Sequence, residues 1–132
     1  PEAYVHLVER NAKKAAFLRE ALRVTGARGT VHLMEIQNFV DSDPPAADCI
    51  TARALAPLNV LLSMTAPLID RGAKALFLKG QDVGVELTEA TKYWNMVVKL
   101  HPSRTSLDSR VVEIEQISAK GAPATEPRGK RP

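Results

Sequence analysis

The stretch "YVHLVERNAKKAAFLREAL", residues 4–22, decides how the chain is read. Tyr4, Val5, Leu7 and Val8 crowd toward an acid, Glu9, and a basic amphipathic pattern begins three positions later. The first part predicts a short buried strand over residues 3–8. Asn11 is a good helix N-cap; Ala15, Leu18 and Leu22 then recur at helical spacing beside Phe17 and Ala21, and Gly26 supplies the stop. Arg10, Lys13, Lys14, Arg19 and Arg23 occupy the remaining surface. A strand ending on a carboxylate just before a helix has two readings. Either Glu9 is a solvated acid stabilised by the dipole of that helix, or it accepts hydrogen bonds from both hydroxyls of a nucleotide's ribose.

Downstream, residues 30–34 form a weaker strand candidate, and residues 35–47 lose periodicity through the turn-rich "DSDPPAAD". Residues 48–51 read as a brief strand. Residues 55–68 carry helical spacing through Leu58, Leu61, Leu62 and Thr65, with Pro57 in the first turn and Pro67 at the end. "AKALFLKG" is the clearest strand: Ala75, Leu76, Phe77 and Leu78 run uninterrupted into Lys79-Gly80, as in a parallel strand covered on both faces. Residues 86–94 are expected to be helical. Residues 96–101 and 110–117 are expected to be strands, and the loop between them has no room for a helix, which allows an antiparallel pair. In the second of these, Val112, Ile114 and Gln116 should share one face. The order β-α-β-β-α-β-α-β-β predicts an α/β sheet covered by helices, with ligands beyond the carboxyl ends of its strands.

The bulk numbers agree with one ordinary domain: 132 residues, 45% hydrophobic and 25% charged. A formal charge of +3 permits a polyanionic partner without demanding one. The single cysteine, Cys49, excludes an internal disulfide and a four-cysteine zinc site, and it suits a reducing cytosol. No apolar run approaches the roughly 18 residues of a membrane span, and no signal peptide is evident. Pro1 rather than Met opens the sequence, so the chain need not begin where its gene does.

Chemistry-bearing candidates are few. Arg53 closes "CITAR" at a strand's carboxyl end, where it could meet a ligand or lie on the surface; Lys79 could face phosphate or be solvated. His6 and His32 lie in apolar strands and read as packed histidines. No nucleophile–base arrangement, metal-ligand spacing or phosphate loop is present, so hydrolase and phosphotransferase chemistry are poorly supported. Transfer of a group to a nucleophile that is already competent needs none of these.

"LVERNAKKAAFLREAL", "TARALAPL", "ALFLKGQ" and "ELTEATKYW", in this order and spacing, closely resemble the bacterial small-subunit ribosomal RNA methyltransferases of the RsmG (GidB) type. The resemblance covers roughly residues 3–117. It implies a Rossmann-like class I fold, mostly parallel with an antiparallel C-terminal strand pair. It also implies methyl transfer from S-adenosylmethionine to N7 of a guanosine in 16S rRNA. By matching positions, Glu9 is expected to hold the cofactor ribose, Ile36 and Gln37 to flank the adenine, and Arg53 to belong to the cofactor site. Family members more often carry glutamate where Gln37 stands, which would remove a carboxylate contact and leave backbone contacts intact. Lys79 falls near where target RNA should enter. Lys13, Lys14, Lys79 and Arg104 are the RNA-binding candidates, the alternative being solvated faces. The implied partner is 16S rRNA or the small ribosomal subunit in the cytoplasm, with neither membrane nor metal.

The family's first strand and glycine-rich turn have no counterpart among the seven glycines. Residues 1–119 are therefore expected to be the C-terminal part of a methyltransferase domain, incomplete at the N-terminus, followed by a disordered basic tail over 120–132 with Arg128, Lys130 and Arg131. The rival reading is a non-catalytic basic α/β fragment that binds RNA weakly. A nicotinamide-dinucleotide domain is disfavoured, because its glycine fingerprint is equally missing.

Overall fold

The computed structural model describes residues 3–53, 56–104 and 109–120. The chain divides into two compact units, Pro1–Pro45 and Ala46–Pro132. The expected tail, with Arg128, Lys130 and Arg131, lies outside the described residues, as do residues 105–108 of the loop between the last two strands. Lys120, assigned to the tail by sequence, instead closes the preceding hairpin: its N–H donates to Tyr93 O at 2.8 Å.

In the first unit, β1 (Val5–Glu9) leads through α1 (Ala12–Thr25) to β2 (Gly29–Leu33) and then to α2 (Ile36–Asp41). The two strands are parallel, in register from Val5↔Gly29 to Glu9↔Leu33. The caps read from sequence are both present. Asn11 Oδ1 accepts from Lys14 N at 3.0 Å, and Gly26 adopts φ 71, a left-handed conformation that glycine takes at least cost. Gly29 is required for a different reason: a Cβ there would lie 2.7 Å from Val5 O, inside the parallel pair. Ala15 of α1 and Val31 of β2 are buried, and Val40 of α2 with them.

Two expectations are corrected here. The first strand is not buried: Tyr4 and Val5 are 50% and 42% exposed, because among the described residues β1 pairs with β2 alone, in a two-stranded sheet. His6 is likewise exposed rather than packed, with its Nδ1 3.0 Å from His32 Nε2. Second, the aperiodic segment contains α2. Six residues are too few to repeat an apolar face, and Val40 alone of them is buried.

In the second unit, β3 (Cys49–Arg53), α3 (Leu58–Asp70), β4 (Lys74–Lys79), α4 (Val83–Ala90), β5 (Trp94–Pro102) and β6 (Arg110–Ala119) follow in order. The sheet order is β3-β4-β6-β5. β3 and β4 are parallel, whereas β6 runs antiparallel to both neighbours. Leu58, Leu61, Leu62 and Ile69 of α3 and Ala90 of α4 cover one face through Ala75, Phe77, Val112 and Ile114. The continuous run in β4 thus divides by parity, with Ala75 and Phe77 inward and Leu78 37% exposed. α4 starts and ends earlier than the sequence suggested, so Trp94 opens β5 instead of closing a helix. Pro67 lies inside α3 rather than at its end. Alternation in β6 holds through Ile114 and then fails. Gln116 has φ 53 and is exposed while Ile117 is 3% exposed, and the register with β5 shifts between Met96 and Val97. This is a β-bulge.

On the opposite face, Glu113 is ringed by His101 Nε2 at 3.0 Å, Lys74 Nζ at 3.7 Å and Lys99 Nζ at 4.0 Å. The hydrogen bond from His101 is the main cause holding its carboxyl below the usual range; partial burial opposes this, and the two lysines add to it. A carboxyl whose value is lowered on folding contributes stability above its unfolded value and loses it as pH falls through the folded one. The advantage of the native chain over Glu113→Gln is therefore expected to shrink as pH falls below the ordinary carboxylate value of about 4.3. Urea midpoints of the two proteins, compared from pH 7 to pH 3, check this; an advantage unchanged by acid would mean that the ring of cations does not act on this carboxylate.

Candidate functional site

At the carboxyl end of β1, the Glu9 side chain turns toward the start of α1, where its Oε2 accepts from Asn11 N at 2.9 Å. The Glu9 carbonyl accepts from Met34 N at 3.1 Å, which ties this strand end to the chain leaving β2. Arg10 and Glu35 face each other across the same gap at 3.6 Å. Glu9 and residues 34–37 are thereby brought together. Ile36, half-buried, and Gln37, exposed, open α2. The Gln37 amide nitrogen donates to Asp41 Oδ1 at 2.9 Å, so its side chain runs along the helix. Lys13 and Lys14 are exposed in the first turn of α1, a position the helix dipole disfavours for cations.

Toward a cofactor's ribose Glu9 can act only as an acceptor. Its bond to Asn11 occupies Oε2, and Oε1 remains as an acceptor at a strand's carboxyl end. This fits a vicinal diol, which offers two hydroxyl donors.

Arg53 ends β3, exposed and in register with Leu78. Lys79 ends β4, and it is not solvated, as one of its two expected placements had it. Its side chain is only 8% exposed, and its ammonium donates to Ala56 O at 2.6 Å and pairs with Glu86 Oε1 at 2.9 Å. The same Oε1 accepts Leu58 N at 2.8 Å. Lys79 and Glu86 therefore clamp three segments: the end of β4, the first turn of α4, and residues 56–58, where the chain past Arg53 enters α3. The N-terminal N–H groups of a helix lack internal acceptors, and Glu86 supplies one to α3 from another helix.

Beside this clamp, at the carboxyl ends of β3 and β4, is a recess of about 270 Å³ whose wall includes Arg53, Lys79, Gly80, Glu86 and Arg110. Sequence reasoning missed Glu86 and Arg110. An acid in the first turn of the helix after the "LKG" strand was the available signal for Glu86. For Arg110 the signal was its place at the start of β6, which pairs with Lys79 across the strands. Arg104 is exposed near the same end of the sheet. A wider hollow of about 910 Å³ opens at the other end of the strands around Asp48, Lys74 and Glu115, away from the end where α/β sheets bind ligands. Among the described residues no group of three or more histidine, cysteine or acidic side chains is arranged to hold a metal. No described helix is long and apolar enough to cross a membrane.

A family model described as rRNA small subunit methyltransferase G (GidB) matches residues 1–112. A ribosomal RNA small subunit methyltransferase G from Nitrobacter hamburgensis is 56% identical over 129 residues, covering 98% of this chain and 50% of that protein. One from Bradyrhizobium sp. strain BTAi1 is 62% identical over 117 residues, covering 89% and 53%. The chain thus spans about half the length of the curated relatives it matches. Among solved structures, an rRNA methylase from Streptococcus thermophilus superimposes with a TM-score of 0.59 at 11% identity, covering 87% of this chain and 74% of that one. Likeness at that identity speaks for the fold alone, an α/β architecture shared with that chain.

Proposed function

Because the chain belongs to the rRNA small subunit methyltransferase G family, we propose that it forms part of an enzyme that transfers a methyl group from S-adenosylmethionine to N7 of a guanosine in 16S rRNA. The observation that carries this reading is the joining of Glu9 to residues 34–37 through the Glu9 O–Met34 N bond at the carboxyl ends of two parallel strands. That is where an α/β sheet receives a nucleotide-like cofactor.

In this reading Glu9 Oε1 accepts from the ribose hydroxyls. The opening of α2 at Ile36 and Gln37 lies alongside the adenine through backbone and apolar contacts, which do not need a carboxylate at position 37. Arg53, exposed at the end of β3, keeps the cofactor role expected of it. When bound, S-adenosylmethionine supplies an electrophilic methyl on a sulfonium. N7 of guanine has an in-plane lone pair and loses no proton before attack, so the protein's part is positioning and electrostatics, and no general base is required. Lys13, Lys14 and Arg104, exposed on the surface, are offered to RNA phosphates, whose contacts make binding salt-dependent. The substrate is 16S rRNA, free or within the small subunit, and the compartment is the cytoplasm.

Calorimetric titration with S-adenosylhomocysteine tests the cofactor half of this proposal. Saturable binding is expected, weakened about 10- to 100-fold by Glu9→Ala, the range for lost hydrogen bonds to a charged group. A folded chain that takes up none of the ligand would sink the assignment. Equal binding by Glu9→Ala would remove Glu9 from the site.

A further inference from the structure

We infer that the recess at the carboxyl ends of β3 and β4 is the seat of the guanine base, and that Glu86 reads its Watson–Crick edge. This rests on the proposed methylation of guanine and adds the group that chooses the base.

Glu86 is held through one oxygen. Both of its hydrogen bonds, from Leu58 N at 2.8 Å and from Lys79 Nζ at 2.9 Å, fall on Oε1. That oxygen is fully engaged in structure. Oε2 takes neither bond, and the carboxylate lines the recess with its side chain 22% exposed. A carboxylate fixed through one oxygen, with the other taking neither bond, is a pre-organised acceptor. It faces a recess of about 270 Å³, just below the range of drug-sized ligand pockets and suited to a single base.

Among the four RNA bases, guanine alone offers two adjacent donors on one edge, N1–H and the N2 amino group, and both can converge on the one oxygen, Oε2, that takes no structural bond. Adenine puts an unprotonated N1 there, which a carboxylate repels. Guanine N7 lies on the opposite side of the ring system, so a grip on N1 and N2 leaves the methyl acceptor free. Enzymes that modify a base take it out of the stack and read this edge in a pocket. Arg110 on the same wall suits a phosphate beside an extruded nucleotide.

The reaction makes the same contact stronger. As the N7–carbon bond forms and the carbon–sulfur bond breaks, the positive charge leaves sulfur and spreads over the purine, and N1–H becomes more acidic. The hydrogen bonds to Glu86 therefore tighten in the transition state, the condition under which an interaction accelerates chemistry rather than only binding. Lys79 acts at one remove, as a positioning residue that fixes Glu86 Oε1.

The test is equilibrium binding of this chain to fluorescein-labelled heptauridylate RNA carrying guanosine, inosine or adenosine at its central position. Guanosine is expected to bind about 10- to 100-fold tighter than adenosine, the span for a good two-bond base contact, with inosine, which lacks the N2 amino group, in between. Glu86→Gln keeps an acceptor for Leu58 but turns a donor toward the base, and should bring guanosine and adenosine to within about 3-fold of each other. Equal binding of all three RNAs by the unmodified chain overturns the inference, and that comparison requires no variant. So does a Glu86→Gln protein that weakens all three equally, since that is the mark of a structural role alone. Guanosine preference without S-adenosylhomocysteine binding would count against the cofactor assignment and leave the base pocket standing.

Discussion

Lys79→Met is expected to lower the unfolding free energy by about 3 kcal/mol in urea titrations followed by circular dichroism. The mutation strips Ala56 O of its donor and leaves Glu86, 22% exposed, with a single remaining partner, Leu58 N. Breaking a buried pair from one side costs about 3–5 kcal/mol, and the partial exposure of Glu86 places this case at the lower end. Changing both residues to methionine should recover part of the loss, because two apolar side chains leave no stranded charge, although Leu58 N and Ala56 O still lose their partners. The exposed Lys92–Glu89 pair at 3.0 Å serves as the control, and Lys92→Met should be indistinguishable from the native chain. If Lys79→Met were equally silent, the ammonium would have to be solvated, and the clamp would not exist.

Phe77→Ala is expected to cost more, about 4 kcal/mol by the same measurement. Phe77 is 0% exposed at the centre of the four-stranded sheet, in register with Ala52 on one side and Val112 on the other. Its ring fills the space beneath Leu58, Leu61 and Leu62 of α3. With an alanine on one flank and a valine on the other, neighbouring side chains have little length with which to collapse into the cavity, so both the transfer and the cavity contributions are felt. Leu78→Ala, next along the strand but 37% exposed on the other face, should cost less than about 1 kcal/mol. Similar losses at the two positions would mean that this face of the sheet is not the one α3 covers.

Much of this architecture could be read from the residues. α1 and β4 announce themselves through strong local signals, a cap at each end of the first and an unbroken apolar run in the second. α2 was missed because one and a half turns cannot display a period. The exposed faces of β1 were missed because apolar character in a strand says nothing about which neighbours cover it. Of the candidate site, Glu9 could be singled out by position, as an acid where a strand gives way to a helix, but position alone left it two readings, a solvated acid or a ribose acceptor. The role of Lys79 was not legible. Its partner lies seven positions on, across a turn and into α4, and the backbone groups it helps hold belong to a segment more than twenty positions earlier. Local charge patterns carry no record of such closures, and only the packing of α3 against α4 creates them.

The extra residue at Gln116 has a meaning for any mutational scan of β6. Tolerance should follow an even-numbered rhythm through Val112 and Ile114, then change phase, so that position 117 is the sensitive one and 116 the permissive one. A reader aligning β6 with an unbulged strand would assign every side chain beyond it to the wrong side. The left-handed backbone there, φ 53, also gives this strand a site where glycine or asparagine is a natural replacement, in the middle of a sheet where either would otherwise be a fault.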